Sequence, residues 1–299
     1  MLADLLEKKR QESHFDYWYE YIGPGLIKTI KRLVFLRLSY VSYIFTKLTK
    51  SRFVSVHTET FWGDKINITR NSNIRYGFIF DPPEFKLTKF LISSLKSNDI
   101  FYDIGANIGF YSLLSSNIIK IGQIHCFEPL PDIFDILKSN LKSLPNVFLN
   151  NLALSNKEGD EKLYRIGNKS GFSTTIAEVA DSYEGEKKED IGIVSITLDS
   201  YIKDHNQPTV IKIDVEGGES AVIDGGERFL SNFSPTVIIE VWGGDKGRKF
   251  SSKALDKLIK FGYEPYFINY SGELERIISF DFDKVRDFDN FAFKKKSVT

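Results

Sequence analysis

From residue 99 onward, short apolar runs alternate with stretches in which apolar residues recur at helical spacing. The runs of strand length fall at 100–104, 123–128, 147–151, 209–214, 236–242, 263–269 and 290–295. The helical pattern covers 108–119, 131–143, 217–230 and 250–261. Strand–helix alternation of this kind predicts a parallel sheet with helices packed on its faces. A polar loop with little helical character, 270–289, separates the last two strands, which predicts an antiparallel final hairpin appended to the parallel sheet. Residues 157–197 interrupt the alternation with a Ser/Thr-rich turn at Gly171 to Thr175 and a charged stretch from Glu178 to Asp190. That stretch reads as a mobile, solvated loop, with a lid over substrate as the alternative.

Upstream the pattern changes twice. Residues 53–80 alternate in strand fashion through Phe53, Val54, Val56, then Ile66, Ile68, then Tyr76, Phe78, Phe80, with turn signals at Gly63-Asp64 and Asn71-Ser72-Asn73. This predicts a small antiparallel unit, followed by a lead-in helix from Glu84 to Leu95. Residues 1–52 carry apolar positions at helical spacing, and no acid occurs between Tyr21 and Arg52. A helical cap or a dimer contact accounts for this segment; the alternative is a basic amphipathic helix over 26–52 lying on an anionic membrane. The expected division is therefore 1–52, an N-terminal helical segment; 53–98, a β unit with its lead-in helix; and 99–299, the main domain.

Composition narrows the function classes. With 299 residues, 42% of them hydrophobic and 14% aromatic, the chain can bury a substantial core. Formal net charge is zero, so nothing global points to nucleic acid. The single cysteine, Cys126, excludes an intrachain disulfide and fits a reducing, cytoplasmic compartment. His125 and Cys126 are strand neighbours with opposite facing, so they are not a nucleophilic dyad. The first residues lack the apolar region of a signal peptide, and no apolar run approaches a bilayer span of about 20 residues. A soluble or peripheral protein is expected, of open oligomeric state.

The candidate chemistry lies at the ends of the predicted strands. Strand 100–104 runs into Gly105-Ala106-Asn107-Ile108-Gly109 and then a helix, a layout in which a ligand approaches the backbone closely. Asn107 replaces the middle glycine of G-x-G-x-x-G, and Asp103 would repel a pyrophosphate, so a nicotinamide cofactor is disfavoured. A cationic group such as the ammonium of S-adenosylmethionine fits beside Asp103 instead, which points to methyl transfer. The next strand ends in Glu128, an acid placed to accept from both hydroxyls of a ribose, or to cap the helix that follows Pro129. The third strand runs into Asn151 and Ala153, near where adenine would rest. The fourth and fifth deliver Asp214, Glu216 and Glu240 to the carboxyl edge, where open α/β sheets bind ligands. These three can act as a general base and as acceptors for substrate hydroxyls. They also offer the oxygen ligands Mg²⁺ takes, though the metal-free arrangement is favoured. Asp81-Pro82-Pro83-Glu84 lacks the terminal aromatic residue that stacks on a flipped base, so base methylation is set aside.

Together these stretches resemble the FkbM family of S-adenosylmethionine-dependent methyltransferases. The resemblance rests on Phe-Tyr-Asp-Ile-Gly-Ala-Asn-Ile-Gly-Phe-Tyr-Ser (101–112), Cys-Phe-Glu-Pro (126–129), Asn-Leu-Ala-Leu-Ser (151–155), Thr-Leu-Asp-Ser-Tyr-Ile (197–202), Ile-Lys-Ile-Asp-Val-Glu-Gly (211–217) and Ile-Ile-Glu (238–240). It covers about residues 80–245 and does not reach 1–50. It implies an α/β, Rossmann-like class I methyltransferase fold with a seven-stranded, mostly parallel sheet. It also implies S-adenosyl-L-methionine as donor and a hydroxyl on a sugar, glycan or natural product as acceptor. The expected donor contacts are Asp103, Gly105, Ala106, Asn107, Gly109, Glu128, Asn151 and Ala153; the expected catalytic carboxylates are Asp214, Glu216 and Glu240. The segment Phe172 to Thr175 and the charged stretch after it depart from the family pattern, which makes the acceptor side the least transferable. A catalytically degenerate scaffold on the same fold is the competing reading.

Overall fold

The computed structural model describes residues 1–12, 55–69, 84–167, 172–285 and 287–295. The basic segment 26–52, the strand expected at 76–80 and Asp81-Pro82-Pro83 lie outside the described residues. The chain forms two compact units, Met1–Phe85 and Lys86–Thr299. Among the described residues, no helix is long and apolar enough to cross a membrane.

In the first unit, a helix spans Leu2–Glu12, and β1 (Ser55–Glu59) pairs antiparallel with β2 (Lys65–Thr69). The expected turn at Gly63-Asp64 closes this hairpin. Thr60 N–H donates to the Asp64 carbonyl at 2.9 Å, and Asp64 N–H returns to Thr60 Oγ1 at 3.0 Å. Ile66 and Ile68 are buried, as the strand alternation requires.

The second unit is built on an eight-stranded sheet. Its strands are β3 (Ile100–Ile104), β4 (Gln123–Phe127), β5 (Val147–Asn150), β10 (Val210–Ile213), β11 (Thr236–Trp242), β12 (Tyr263–Ile268), β13 (Leu274–Arg276) and β14 (Phe288–Lys295). The order is β13-β12-β14-β11-β10-β3-β4-β5. The neighbours from β5 through β11 are all parallel, while β14 runs antiparallel to both β11 and β12. Seven of these strands are those the sequence pattern predicts. The eighth, β13, folds back on β12 from within the polar loop. Phe101, Tyr102, Asp103 and Ile104 are all buried, as a central parallel strand covered on both faces must be. Ile211, Ile213, Val237, Ile239 and Val241 form one core with Val222, Ile223, Leu255 and Leu258 from the flanking helices.

Two expectations are corrected. The helix expected over 217–230 divides into Glu219–Gly225 and Glu227–Asn232. Gly225 packs so tightly that a Cβ there would lie 2.1 Å from the Ser155 carbonyl oxygen, and the Gly225-Gly226 pair breaks the helix to allow it. Nor is the charged stretch Glu178 to Asp190 all loop: it enters the helix Ala177–Asp181 and the strand Lys188–Ile196 within the interruption at 157–197. That interruption holds a second sheet of order β6-β9-β7-β8, made of Ala153–Leu154, Gly159–Ile166, Ser173–Thr174 and Lys188–Ile196 as β6 to β9. β7 and β9 pair antiparallel from Gly159↔Ser195 to Ile166↔Lys188. Along β9 the positions Ile191, Ile193 and Ser195 turn inward while Asp190, Gly192 and Val194 are exposed, a strand alternation hidden by the density of charge.

One buried group makes this fold acid-sensitive. His125 on β4 is 1% exposed, stacked on Phe148 with its Nδ1 2.9 Å from the Tyr201 hydroxyl. Burial, and then the charge of His205, hold its pKa down at about 4 against an ordinary 6.5. The neutral ring is therefore favoured by folding, and its contribution is complete above pH 6.5 and lost as pH falls through about 4. At ~1.4 kcal/mol per pKa unit this is about 3 kcal/mol. We expect His125→Gln to flatten the fall of Tm with acidification across that window; an unchanged slope in the variant would remove His125 as its source.

Candidate active site

The Gly105–Gly109 turn is assembled from β3, β4 and their following loops. Gly105 (φ 79) and Ala106 donate their N–H groups to the Phe127 carbonyl at 3.0 and 2.9 Å. A Cβ on Gly105 would stand 1.9 Å from the Asp214 carbonyl oxygen, so only glycine lets the β3 turn lie against the end of β10. Asn107 adopts φ 50, the left-handed region that Asn tolerates better than other side chains, which is how the turn forms without the middle glycine. Gly109 N–H donates to Ala106 O at 2.8 Å, and Asn140 Nδ2 holds the Ile108 carbonyl at 2.7 Å.

Glu128 is 6% exposed and clamps this turn. Its Oε2 accepts from Asn107 N–H and its Oε1 from Leu130 N–H, both at 3.0 Å. It thus sits on the turn and also serves the start of the helix Pro131–Leu141. Burial pushes its pKa up to about 7, although both backbone donors pull the other way. Asp103 lies beneath the turn, 1% exposed, with Oδ2 accepting from Ser112 Oγ at 2.6 Å. Burial pushes its pKa up, against Lys212 and Ser112. Asp103 Oδ1 and Asn107 Oδ1 are both buried without a hydrogen-bond partner. Asn151 is exposed, and its Nδ2 is spent on the Glu128 and Pro129 carbonyls at 2.8 and 3.0 Å. Ala153 is buried in β6, paired with Ser195 of β9.

The three acids singled out on the later strands do meet. Carboxylate oxygens of Asp214, Glu216 and Glu240 all lie within 4.8 Å of one another. Asp214 follows β10, its N–H held by the Ile104 carbonyl at 3.0 Å. Glu216 takes φ 53, and Gly217 φ 90, in the sharp turn after it. Burial first, then the charges of Asp214 and Glu219, raise the Glu216 pKa well above the usual carboxylate range. Glu240, on β11, accepts from Trp242 Nε1 at 3.2 Å.

Several neighbours were not singled out beforehand. Glu219, 2% exposed, accepts from Gly217 N–H at 3.1 Å and Val215 N–H at 3.3 Å, and so fixes the turn that carries Glu216. Its pKa is pushed up to about 7 by burial. An acid opening a helix after Gly-Gly is a legible signal for this role. Lys246 donates to the Tyr183 hydroxyl at 2.9 Å, with its Nζ 3.7 Å from the Trp242 ring centroid. Burial, then Glu216 and Glu240, push the Tyr183 pKa up to about 12. Tyr183 comes from the stretch read as a solvated loop, and beside it Val179 packs with Trp242 and Phe250. No local pattern announces that contact, because it joins segments far apart in sequence.

The chain is similar to known methyltransferases. The family model described as the methyltransferase FkbM domain matches residues 103–288. Methyltransferase sdnD of Sordaria araneosa is 29% identical over 179 residues, which is 50% of this chain and 69% of that protein. Hexuronic acid methyltransferase AglP of Haloferax volcanii is 26% identical over 164 residues, 54% of this chain and 63% of that protein. The crystal structure of an FkbM methyltransferase from Methylobacillus flagellatus KT aligns at TM-score 0.43 and 14% identity, covering 67% of this chain and 44% of that one. This chain thus spans less than two thirds of AglP and less than half of the M. flagellatus protein. The family match begins at Asp103 on β3 and ends at Phe288 on β14, so it takes in the parallel sheet and the inserted one alike, and the chain belongs to the FkbM methyltransferase family, with its Rossmann-like class I fold.

Proposed function

We propose that this protein is an S-adenosylmethionine-dependent O-methyltransferase whose acceptor is a hydroxyl on a sugar, glycan or natural product. The observation that carries the reading is the convergence of Asp214, Glu216 and Glu240 within 4.8 Å at the ends of β10 and β11, with Asp214 in the segment that Gly105 lies against. An alcohol is a weak acid, so its oxygen needs a base as it attacks. A carboxylate with a raised pKa, as at Glu216, is better suited to that than an ordinary one. The remaining carboxylates accept hydrogen bonds from the other hydroxyls of a polyol and fix its orientation, where alignment supplies most of the rate. A relative that methylates a hexuronic acid supports a sugar-like acceptor.

The donor half fits the expected cofactor. Glu128 presents acceptor oxygens for ribose hydroxyls. Asp103 Oδ1 and Asn107 Oδ1 are buried polar atoms without a hydrogen-bond partner, in a site of negative character. Bound S-adenosylmethionine supplies a methyl group already activated on a sulfonium. In this reading Asp103 acts from beneath the turn, and Asn151 shapes the Glu128 loop through its two carbonyl contacts.

Three outcomes are expected. Glu128→Ala and Asp103→Ala should each abolish donor binding in calorimetry; near-wild-type affinity in either would displace that residue from the donor site. Because the Glu128 pKa lies at about 7, donor affinity should fall as pH drops through that value. The loss should be about tenfold from roughly pH 8 to pH 6, and Glu128→Gln should abolish the dependence. Asp214→Asn should lower kcat by about 10²-fold or more while changing donor Kd by less than about threefold. Equal losses in both would assign Asp214 to the donor instead.

A further inference from the structure

Three carboxylates this close repel one another unless positive charge lies beside them, and such clusters attract divalent cations. Here the fold brings a cation of its own. Lys212, on β10, has 2% of its side chain exposed, and its Nζ donates to Asp214 Oδ2 at 2.9 Å. The same Nζ stands 3.9 Å from Asp103 Oδ1. The sheet register produces this arrangement. Lys212 is the cross-strand partner of Asp103, and Asp214 follows two residues later on the same face of the chain. The ring of Tyr111, 5.2 Å from Nζ, adds a π face to the ammonium's surroundings. A lysine buried so completely is held by its carboxylate partners, because separating them strands charges in a medium of low dielectric constant.

We infer that Lys212 is the resident cation at the Asp214 corner of the acid triad, a positioning residue that fixes Asp214 and lets the three carboxylates work without a divalent ion. An ion entering the cluster meets an ammonium already bonded to Asp214. Lys212 touches neither acceptor nor donor in this scheme; it acts through Asp214 on one side and Asp103 on the other. The row Asp103–Lys212–Asp214, buried at its first two members and partly exposed at Asp214, sets one ammonium between two carboxyl groups, which suits a cationic donor at the same edge. The inference rests on the proposed reading of the triad as the acceptor edge, but its test measures no methyl transfer, so the two can fail separately.

The test uses the full chain, stripped with chelator and titrated with Mn²⁺ alone, with free Mn²⁺ read by electron paramagnetic resonance. Wild-type protein should leave Mn²⁺ free up to the millimolar range. Lys212→Met should take up one Mn²⁺ per chain at least roughly tenfold more tightly than wild type, and Lys212→Met/Glu240→Gln should lose that uptake. Lys212→Arg keeps the charge and should stay like wild type, which gives a second variant should Lys212→Met not fold. Saturable binding by wild type that disappears in Glu240→Gln overturns the inference. So does a Lys212→Met protein with native circular dichroism that binds no Mn²⁺, or a folded Lys212→Arg protein that does.

Discussion

The site depends on one close approach of backbone to backbone. The turn after β3 lies so near the end of β10 that a single methyl group on Gly105 would meet the Asp214 carbonyl oxygen at 1.9 Å. Strand pairing brings the two together, since Ile104 and Ile213 are register partners and Asp214 N–H continues the ladder to Ile104 O. The absence of a side chain at Gly105 then lets the two loops touch. The Gly105–Gly109 turn and Glu128 hang from β3 and β4, and Asp214, Glu216 and Glu240 hang from β10 and β11. The distance between the two halves is therefore set by sheet geometry rather than by flexible loops, which is the kind of support a reacting pair of groups needs.

Around this contact the fold accumulates buried acid. Asp103, Glu128, Glu219 and Glu240 are all at most 8% exposed. Such burial is tolerated because most of their oxygens are matched by donors: Ser112 on Asp103, backbone N–H groups on Glu128 and Glu219, the Trp242 indole on Glu240. Lys212 and Lys246 add the compensating charge, one from inside the sheet and one from the short helix Gly244–Lys246 after β11.

The parallel sheet was legible because each central strand is a short, mostly apolar run bounded by turn residues or acids, a local signal. Glu128, Asp214 and Glu216 stood out because they follow such runs, and Glu240 because it interrupts one near its carboxyl end. The inserted sheet was hidden. Along Lys188–Ile196, charge density outweighs an alternation that only pairing with Gly159–Ile166 makes meaningful. Tyr183 and Lys246 escaped notice because their contact spans 63 residues and belongs to no element's own periodicity. Asn151 was read as a group facing the ligand, and its Nδ2 also holds the backbone of the neighbouring loop. A polar residue at a sheet edge reads the same in sequence whether it serves a ligand or a loop.

The hydrogen bonds of the Gly105–Gly109 turn have a consequence for polarity. Gly105 and Ala106 give their N–H groups to Phe127 O, Asn107 gives its own to Glu128, and Gly109 gives its own to Ala106 O. A loop that cradles phosphate must keep such donors free and pointing outward. This one has committed them inward, and the atoms around it that lack a hydrogen-bond partner are oxygens, Asp103 Oδ1 beneath it and Asn107 Oδ1 within it. A glycine turn of the kind that elsewhere receives an anion is, in its unspent valences, the reverse: a buried edge short of protons.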